Sequence, residues 1–134
     1  MDFVFKKNAN LQHQSENFEG RRYKKFNIKL FFMAELKAIA SQIRRDIVRM
    51  VHGVNSGHPG GSLGCTEFFT ALYFKIMKHD PSFNMDAKGE DIFFLSNGHI
   101  SPVFYSTLAR SGYFDIKELS TFRKIDSRLQ GHPA

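Results

Sequence analysis

A glycine-rich stretch from Ser56 to Ser62, with the sequence SGHPGGS, separates two apolar patterns and limits how this chain can fold. Three glycines and one proline in seven residues disfavour a continuous helix, so the sequence predicts a turn. Glycine also lets a backbone approach a ligand closely and present consecutive N–H groups to an anion. Taken alone, the stretch is more typical of a helix–turn–helix corner that exposes His58.

Histidine stands beside glycine at two further corners of the chain. His99 ends the segment SNGH, and His132 lies between Gly131 and Pro133. Three such corners in a chain of 134 residues favour one shared site over three unrelated turns.

Two helical patterns flank the glycine-rich stretch. From Glu35 to Val54, apolar residues recur every three or four positions, which predicts an amphipathic helix ending in a C-terminal cap at Asn55. From Cys65 to Met77, apolar residues fall on every side of the pattern, which predicts a helix that is buried all round. His79 follows that helix, and we expect it to be exposed.

The short apolar run from Asp91 to Ser96 is typical of a buried parallel strand. Ser101 and Pro102 then predict the N-cap and first turn of a new helix. His99 would lie between that strand and that helix. Ligands bind beyond the carboxyl ends of strands in open α/β sheets, and helix N-termini attract phosphate through free N–H groups.

That helix should end at Ser111 and Gly112, where the periodicity stops. Asp115 with Glu118 then resembles a capping box, which predicts the start of another helix.

Positive charge is concentrated at the N-terminus. The net charge is +6, and residues 1–32 hold seven Lys/Arg against three Asp/Glu. Nucleic-acid binding is therefore supported only by residues 1–32, and the remainder is close to neutral. We interpret 1–32 as a disordered or spurious extension and 33–134 as the domain, with Met33 as an alternative start. Because no signal peptide or membrane span is recognisable, we expect a cytoplasmic protein that binds neither membrane nor nucleic acid.

Three segments resemble the motifs of transketolases, in the same order and spacing. The stretch SGHPGGSLG, Ser56 to Gly64, resembles the first motif, and LSNGH, Leu95 to His99, resembles the second. The segment from Ser111 through Arg123 to Pro133 is similar to the third. The resemblance covers residues 35–134. In detail it is similar to the N-terminal, diphosphate-binding subunit of bacterial transketolases that are split into two subunits.

The resemblance implies an α/β fold, the first and incomplete part of a thiamine-diphosphate-binding fold with a parallel sheet flanked by helices. It implies transfer of a two-carbon ketol unit between sugar phosphates in the pentose phosphate pathway, with thiamine diphosphate and Mg2+ or another divalent metal. His58 and His132 would be catalytic and substrate-binding residues. His99, with Asn97 and Gly98, would bind the cofactor.

One family feature is absent from this sequence. Transketolases hold the metal and diphosphate with a Gly-Asp-Gly motif and a later Asn, and no Gly-Asp-Gly occurs here. The metal ligands are therefore expected outside this chain, which we interpret as a fragment or truncated reading frame of a longer subunit. A C-terminal, pyrimidine-binding transketolase subunit is the implied partner, in a homo- or hetero-oligomer.

Other functions remain open at this point. A related thiamine-diphosphate enzyme, such as dihydroxyacetone synthase or deoxyxylulose-phosphate synthase, is an alternative, and the motif around His132 argues against the latter. A non-catalytic fragment that folds only against a partner is another.

Overall fold

The structure is a computed structural model that describes the backbone of residues 18–82, 86 and 88–133, and side chains from residue 33 onward. Internal contacts divide the chain into two units, Met1–Phe32 and Met33–Ala134. Residues 1–17 lie outside the described part. The interpretation of 1–32 as an extension that adds nothing to the fold therefore stays a prediction.

The first helix, α1, runs from Phe18 to Val54. It confirms the helix predicted from Glu35 to Val54 and begins earlier, at Phe18. Its end is also as predicted. Asn55 adopts a left-handed conformation with φ of 48°, which is a common way to close a helix. The N–H of Ser56 donates to the carbonyl of Val51 at 3.2 Å, which uses one of the last helical acceptors.

The glycine-rich stretch contains the predicted turn, which occupies residues 55–58 and separates α1 from the next helix. The rest of the stretch is helical, since α2 runs from Pro59 to Gly64. Proline suits the first helical position because its missing N–H has no partner there in any helix. Gly61 allows a close approach, since a Cβ at that position would lie 3.1 Å from Cγ2 of Ile100.

The predicted helix from Cys65 to Met77 is present as α3, Thr66–Ala71, followed by a π-helical turn, Leu72–Ile76. The prediction that it is buried all round is wrong. Phe69 is 1% exposed, whereas Phe68 and Ile76 are 59% and 68% exposed. A helix that is apolar all round needs cover on every side, and the described residues cover only one.

The strand predicted from Asp91 to Ser96 is not formed, and the part of the chain that the structure describes contains helices but no strand. A strand is defined by hydrogen bonds to a second strand, and none lies beside this segment. Its side chains nevertheless alternate with the period of a strand. Phe93 and Leu95 pack against the core, while Ile92 and Phe94 are 86% and 88% exposed. Of the predicted α/β class, the described residues therefore show the helices but not the sheet.

A 3-10 turn, Gly98–Ile100, leads into α4, Ser101–Arg110. The N-cap of α4 is Ile100 rather than the predicted Ser101, because the Ser101 hydroxyl is engaged by a distant loop. The helix ends as predicted, and Gly112 follows with φ of +95°.

The predicted capping box opens a 3-10 helix, Ile116–Thr121, rather than an α-helix. The side chain of Asp115 accepts from the N–H of Lys117 at 2.8 Å, and the carboxylate of Glu118 pairs with Arg128 instead of returning to the cap.

Two apolar clusters hold residues 33–134 together. The first joins α1, α3 and α4 and consists of Ile43, Ile47, Phe69, Tyr73, Ile100 and Val103. The second lies between the C-terminal ends of α1 and α4 and the loops beyond, and consists of Met50, Tyr105, Ala109, Leu119, Phe122 and Leu129.

A buried carboxylate also joins α1 to α4. Asp46 is 5% exposed and accepts from Nε of Arg110 at 2.5 Å and from the hydroxyl of Ser106 at 2.9 Å. Among the described residues, no helix is long and apolar enough to cross a lipid bilayer.

Candidate functional site

The three histidines singled out by the sequence lie in one row on the surface. His99 is in the middle, and its ring centroid lies 4.9 Å from that of His58 and 4.9 Å from that of His132. Both pairs meet edge to face, with interplanar angles of 78° and 79°. All three side chains are exposed. We refer to these residues as the histidine row.

His58 is placed by α2. It is the N-cap residue of that helix, but its imidazole makes no capping hydrogen bond, so the ring is not used to stabilise the helix end. The close approach of Gly61 to Ile100 brings α2 against the turn that carries His99. A larger residue at position 61 would move the imidazole of His58 away from that of His99.

His99 is placed by a turn that consumes its own backbone donors. The Asn97 side-chain oxygen accepts from the N–H of His99 at 3.2 Å, and the Asn97 carbonyl accepts from the N–H of Ile100 at 3.3 Å. These two N–H groups are therefore engaged within the turn. The donors offered here are the imidazole of His99 and the amide NH2 of Asn97.

His132 is placed by α4 across a long sequence separation. The hydroxyl of Ser101 donates to the Gly131 carbonyl at 2.7 Å, and the hydroxyl of Tyr105 donates to the Gln130 carbonyl at 2.9 Å. Burial raises the pKa of the Tyr105 hydroxyl, which keeps this donor protonated well above neutral pH.

Gly98 makes room for His132 directly. A Cβ on Gly98 would overlap the His132 ring and would lie 3.1 Å from its Cγ. Asn97 and Gly98 thus have structural tasks in the row: Asn97 shapes the turn, and Gly98 admits the neighbouring imidazole.

Imidazole nitrogens can donate or accept hydrogen bonds, which suits the row to oxygen-rich ligands. The described residues do not form a metal site. Within them, no three His, Cys, Asp or Glu side chains lie close enough to hold an ion.

His79 is partly buried and hydrogen-bonded, so the expectation that it would be exposed is wrong. Its Nε2 lies 2.8 Å from the Tyr73 carbonyl, and its Nδ1 lies 3.0 Å from the Tyr113 hydroxyl. Because a carbonyl can only accept, Nε2 carries a hydrogen and donates it to Tyr73, while the other ring nitrogen, Nδ1, pairs with the Tyr113 hydroxyl. His79 is a packed structural residue outside the row.

Sequence reasoning missed the residues that orient the row, which are Gly61, Ser101 and Tyr105. Ser101 has the sequence pattern of a cap, and Tyr105 belongs to no motif. The one signal in the sequence is that positions 101 and 105 are about one helical turn apart, so both could face the same partner.

Comparison with known proteins gives the chain a family. Residues 35–134 match the family described as "Transketolase, thiamine diphosphate binding domain". This chain belongs to the transketolase family.

Individual transketolases agree with that assignment. Transketolase of Treponema pallidum (strain Nichols) is 39% identical over 99 residues, which cover 73% of this chain. Transketolase 1 of Escherichia coli (strain K12) is 37% identical over 102 residues, or 75% of this chain. The solved structure of transketolase from Leishmania mexicana superposes with a TM-score of 0.67 at 33% identity and covers 73% of this chain.

The match occupies a small part of these relatives. In each of the three, it covers 15% of the relative's own length. The fold of residues 33–134 is therefore similar to one section of a transketolase. The family's binding domain is described as one for thiamine diphosphate.

Proposed function

We propose that this chain supplies part of the thiamine-diphosphate site of a transketolase-type enzyme, which transfers a two-carbon ketol unit between sugar phosphates. The observation that carries the proposal is the histidine row. Three imidazoles from three separate motif corners meet at 4.9 Å spacings, although 41 residues separate His58 from His99 and 33 separate His99 from His132. Membership of the transketolase family supports the choice of reaction.

The three imidazoles have different proposed tasks. His99, in the middle, donates to the cofactor diphosphate, assisted by the amide NH2 of Asn97 at the same turn. His58 and His132, at the two ends, hold the sugar substrate. Each can accept or return a proton at a substrate oxygen, because imidazole changes protonation near neutral pH.

Thiamine diphosphate, when bound, supplies the electron sink that allows a carbon–carbon bond beside a carbonyl to break. The chain's own residues bind and orient around that chemistry. We propose that Mg2+ accompanies the diphosphate and that its ligands lie outside the described residues. Such an ion needs oxygen ligands, normally including a carboxylate, and the row contains none.

We also propose that the segment from Asp91 to Ser96 becomes a strand of a parallel sheet when the remaining part of the enzyme, as a pyrimidine-binding partner or further sequence, is present. The exposed Ile92 and Phe94 side chains and the strand-like alternation support this.

A chimera tests the function. Residues 35–134 replace the matching segment of the Escherichia coli relative, and cofactor affinity and ketol transfer are measured with excess Mg2+. His99→Ala should weaken thiamine diphosphate binding about ten- to a hundredfold, because a hydrogen bond to a charged group contributes roughly 1.5–3 kcal/mol. His58→Ala and His132→Ala should mainly lower turnover.

His52→Ala is the matched control, since His52 is an exposed histidine on the last turn of α1 rather than a member of the row. It should change neither quantity. An unchanged cofactor affinity in His99→Ala would refute the assignment of that residue. An inactive chimera whose folding and cofactor binding are intact would refute the reaction.

A further inference from the structure

Arg123 has a backbone conformation that arginine rarely adopts. Its φ is 57°, in the left-handed region, which costs roughly 1–2 kcal/mol for a residue with a side chain. The surroundings hold it there. Its N–H donates to the Leu129 carbonyl at 2.8 Å, and the neighbouring Phe122 and Leu129 side chains are buried in the second apolar cluster. Glycine or asparagine would fit this position with less strain, so the side chain is a candidate for a specific task.

The guanidinium of Arg123 lies against Gly131. A Cβ at Gly131 would be 2.9 Å from Cζ, 3.1 Å from Nε and 3.1 Å from Nη2 of Arg123. These three distances place the guanidinium on the side of Gly131 where a side chain would project. The other side of Gly131 is held by its carbonyl, which accepts from Ser101. The residue directly before His132 is therefore fixed from two sides.

Arg123 has no other polar partner among the described residues. Of the arginines after residue 33, Arg44, Arg49, Arg110 and Arg128 pair with carboxylates, and Arg45 donates to a glutamine. Only the Arg123 guanidinium, within the described part of the chain, is placed without an ion pair and directly on a glycine backbone.

We infer that Arg123 is a positioning residue for His132. Glycine has the widest choice of backbone angles, so the peptide between Gly131 and His132 would rotate if only one side were restrained. The planar guanidinium removes that freedom and keeps the His132 ring against Gly98 and His99. The inference rests on the proposed function only in giving His132 a task in catalysis.

The test uses the full chain in solution and a proton–proton distance. The nuclear Overhauser effect between the His132 ring Hδ2 and the Gly98 Hα protons reports the ring position directly. In Arg123→Gly, we expect at least a twofold loss of this effect, with the His58–His99 effect unchanged. The urea midpoint should stay the same or rise, because glycine accepts the left-handed conformation.

Arg123→Lys separates charge from shape. Lysine keeps the positive charge but has no planar group to cover Gly131, so it should not restore the His132 signal. Arg128→Gln is the matched control in the same loop. It breaks the two hydrogen bonds to Glu118, so it should lower the urea midpoint and leave the His132 signal intact.

Gly131→Ala offers a second route to the same contact, since its methyl group would displace the guanidinium. In the Arg123→Gly background it should cause no further loss. A full His132 signal in Arg123→Gly would overturn the inference. Unfolding of Arg123→Gly would also overturn it, because the side chain would then act on the fold as a whole. The readout involves no cofactor, so it succeeds or fails independently of the proposed reaction.

Discussion

Large apolar side chains occur on two sides of residues 33–134. On one side they are buried, and on the other they are exposed to solvent. On the helical side, Phe69, Ile43 and Val103 are at most 1% exposed. On the other side, Phe68 and Ile76 are more than half exposed, and Phe94 is 88% exposed. Phe68 and Phe69 are adjacent in the sequence. An apolar pattern therefore shows which side chains need cover, while the available partners decide which of them receive it.

The exposed Phe94 belongs to the segment that the sequence predicted as a strand. A parallel sheet between two helical layers is apolar on both faces, so its helices and strands are apolar all round. The transketolases that match this chain are much longer, and we propose that their further sequence corresponds to the missing cover. The comparison between the covered and the uncovered side leads to five predictions, from the largest expected effect to the smallest.

The uncovered side should make the 134-residue chain inactive alone. The described residues offer no cluster of metal ligands, and the proposed sheet is absent from them. We expect no heat of binding when thiamine diphosphate and Mg2+ are titrated into the purified chain, and no ketol transfer. Adding a pyrimidine-binding transketolase section is the comparison arm. Turnover by the chain alone would show that catalysis does not need cover for the exposed side.

Phe69 and Phe94 form a matched pair across the two sides. Phe69→Ala should lower the free energy of unfolding by about 3–5 kcal/mol, because it leaves a cavity in the first apolar cluster. Phe94→Ala should change it by less than about 0.5 kcal/mol and should reduce self-association. Urea unfolding and light scattering measure the two quantities. Equal losses would mean that Phe94 is covered in solution.

Asp46 tests the polar bond between α1 and α4 on the covered side. Asp46→Ala leaves Arg110 and Ser106 without their acceptor, and it should cost about 3 kcal/mol of unfolding free energy. Arg49→Gln is the control, since Arg49 is 69% exposed and 3.7 Å from the same carboxylate. It should cost under about 1 kcal/mol. A small loss in Asp46→Ala would show that apolar packing alone joins the helices.

Residues 1–32 should be removed before the covered side is attacked. The internal contacts divide the chain after Phe32, and seven Lys/Arg upstream provide trypsin sites. Limited digestion followed by mass spectrometry should release fragments from 1–32 first. Lys37 and Arg45, further along α1, are the internal reference sites. Cleavage there at the same rate would contradict the predicted boundary.

The smallest effect concerns the exposed pair of Arg44 and Glu67, which joins α1 to α3. The hydrogen bond from Arg44 lowers the pKa of Glu67 below its ordinary value. A lowered pKa in the folded state adds stability above the ordinary value, and this stability is lost as the pH falls through the lowered one.

Glu67→Gln should therefore cost under about 1 kcal/mol at neutral pH, since exposed pairs contribute little. The difference from the unmodified chain should vanish as the pH falls below the ordinary pKa of a glutamate carboxyl and through the lowered pKa of Glu67. Asp126→Asn changes an exposed carboxylate without an ion pair in the described chain, so it is the control and should leave the free energy of unfolding at neutral pH unchanged. A pH-independent loss in Glu67→Gln would assign the effect to packing.

The sequence predicted the helices of this fold better than their surroundings. The Glu35–Val54 periodicity and the Ser111-Gly112 end are local properties, and both are present in the structure. The strand prediction was wrong because a strand forms only when a second segment pairs with it through hydrogen bonds. The pattern of one segment cannot supply that partner. The glycine-rich stretch turns as predicted at residues 55–58, but its second half is helical, because glycine permits a helix when Pro59 starts it and packing holds it.

In the candidate site too, local features were predictable from the sequence and long-range contacts were not. His58, His99 and His132 stood out because glycine motifs are readable one at a time. The contacts that align them were not readable, since the bonds from Ser101 to Gly131 and from Tyr105 to Gln130 span 30 and 25 residues. Cofactor binding by Gly98 stays a prediction, and the structural task of this glycine became visible only beside the His132 ring.

Those two long-range bonds also attach an entropy cost to the third imidazole. Residues 130–132 follow α4 by some twenty residues of chain, which close into a loop when the bonds form. Closing a loop of that size costs chain entropy before any bond is gained, and non-local contacts of this kind slow folding. The two bonds that place His132 therefore depend on closing this loop, whereas the two bonds that shape the turn at His99 span only two and three residues.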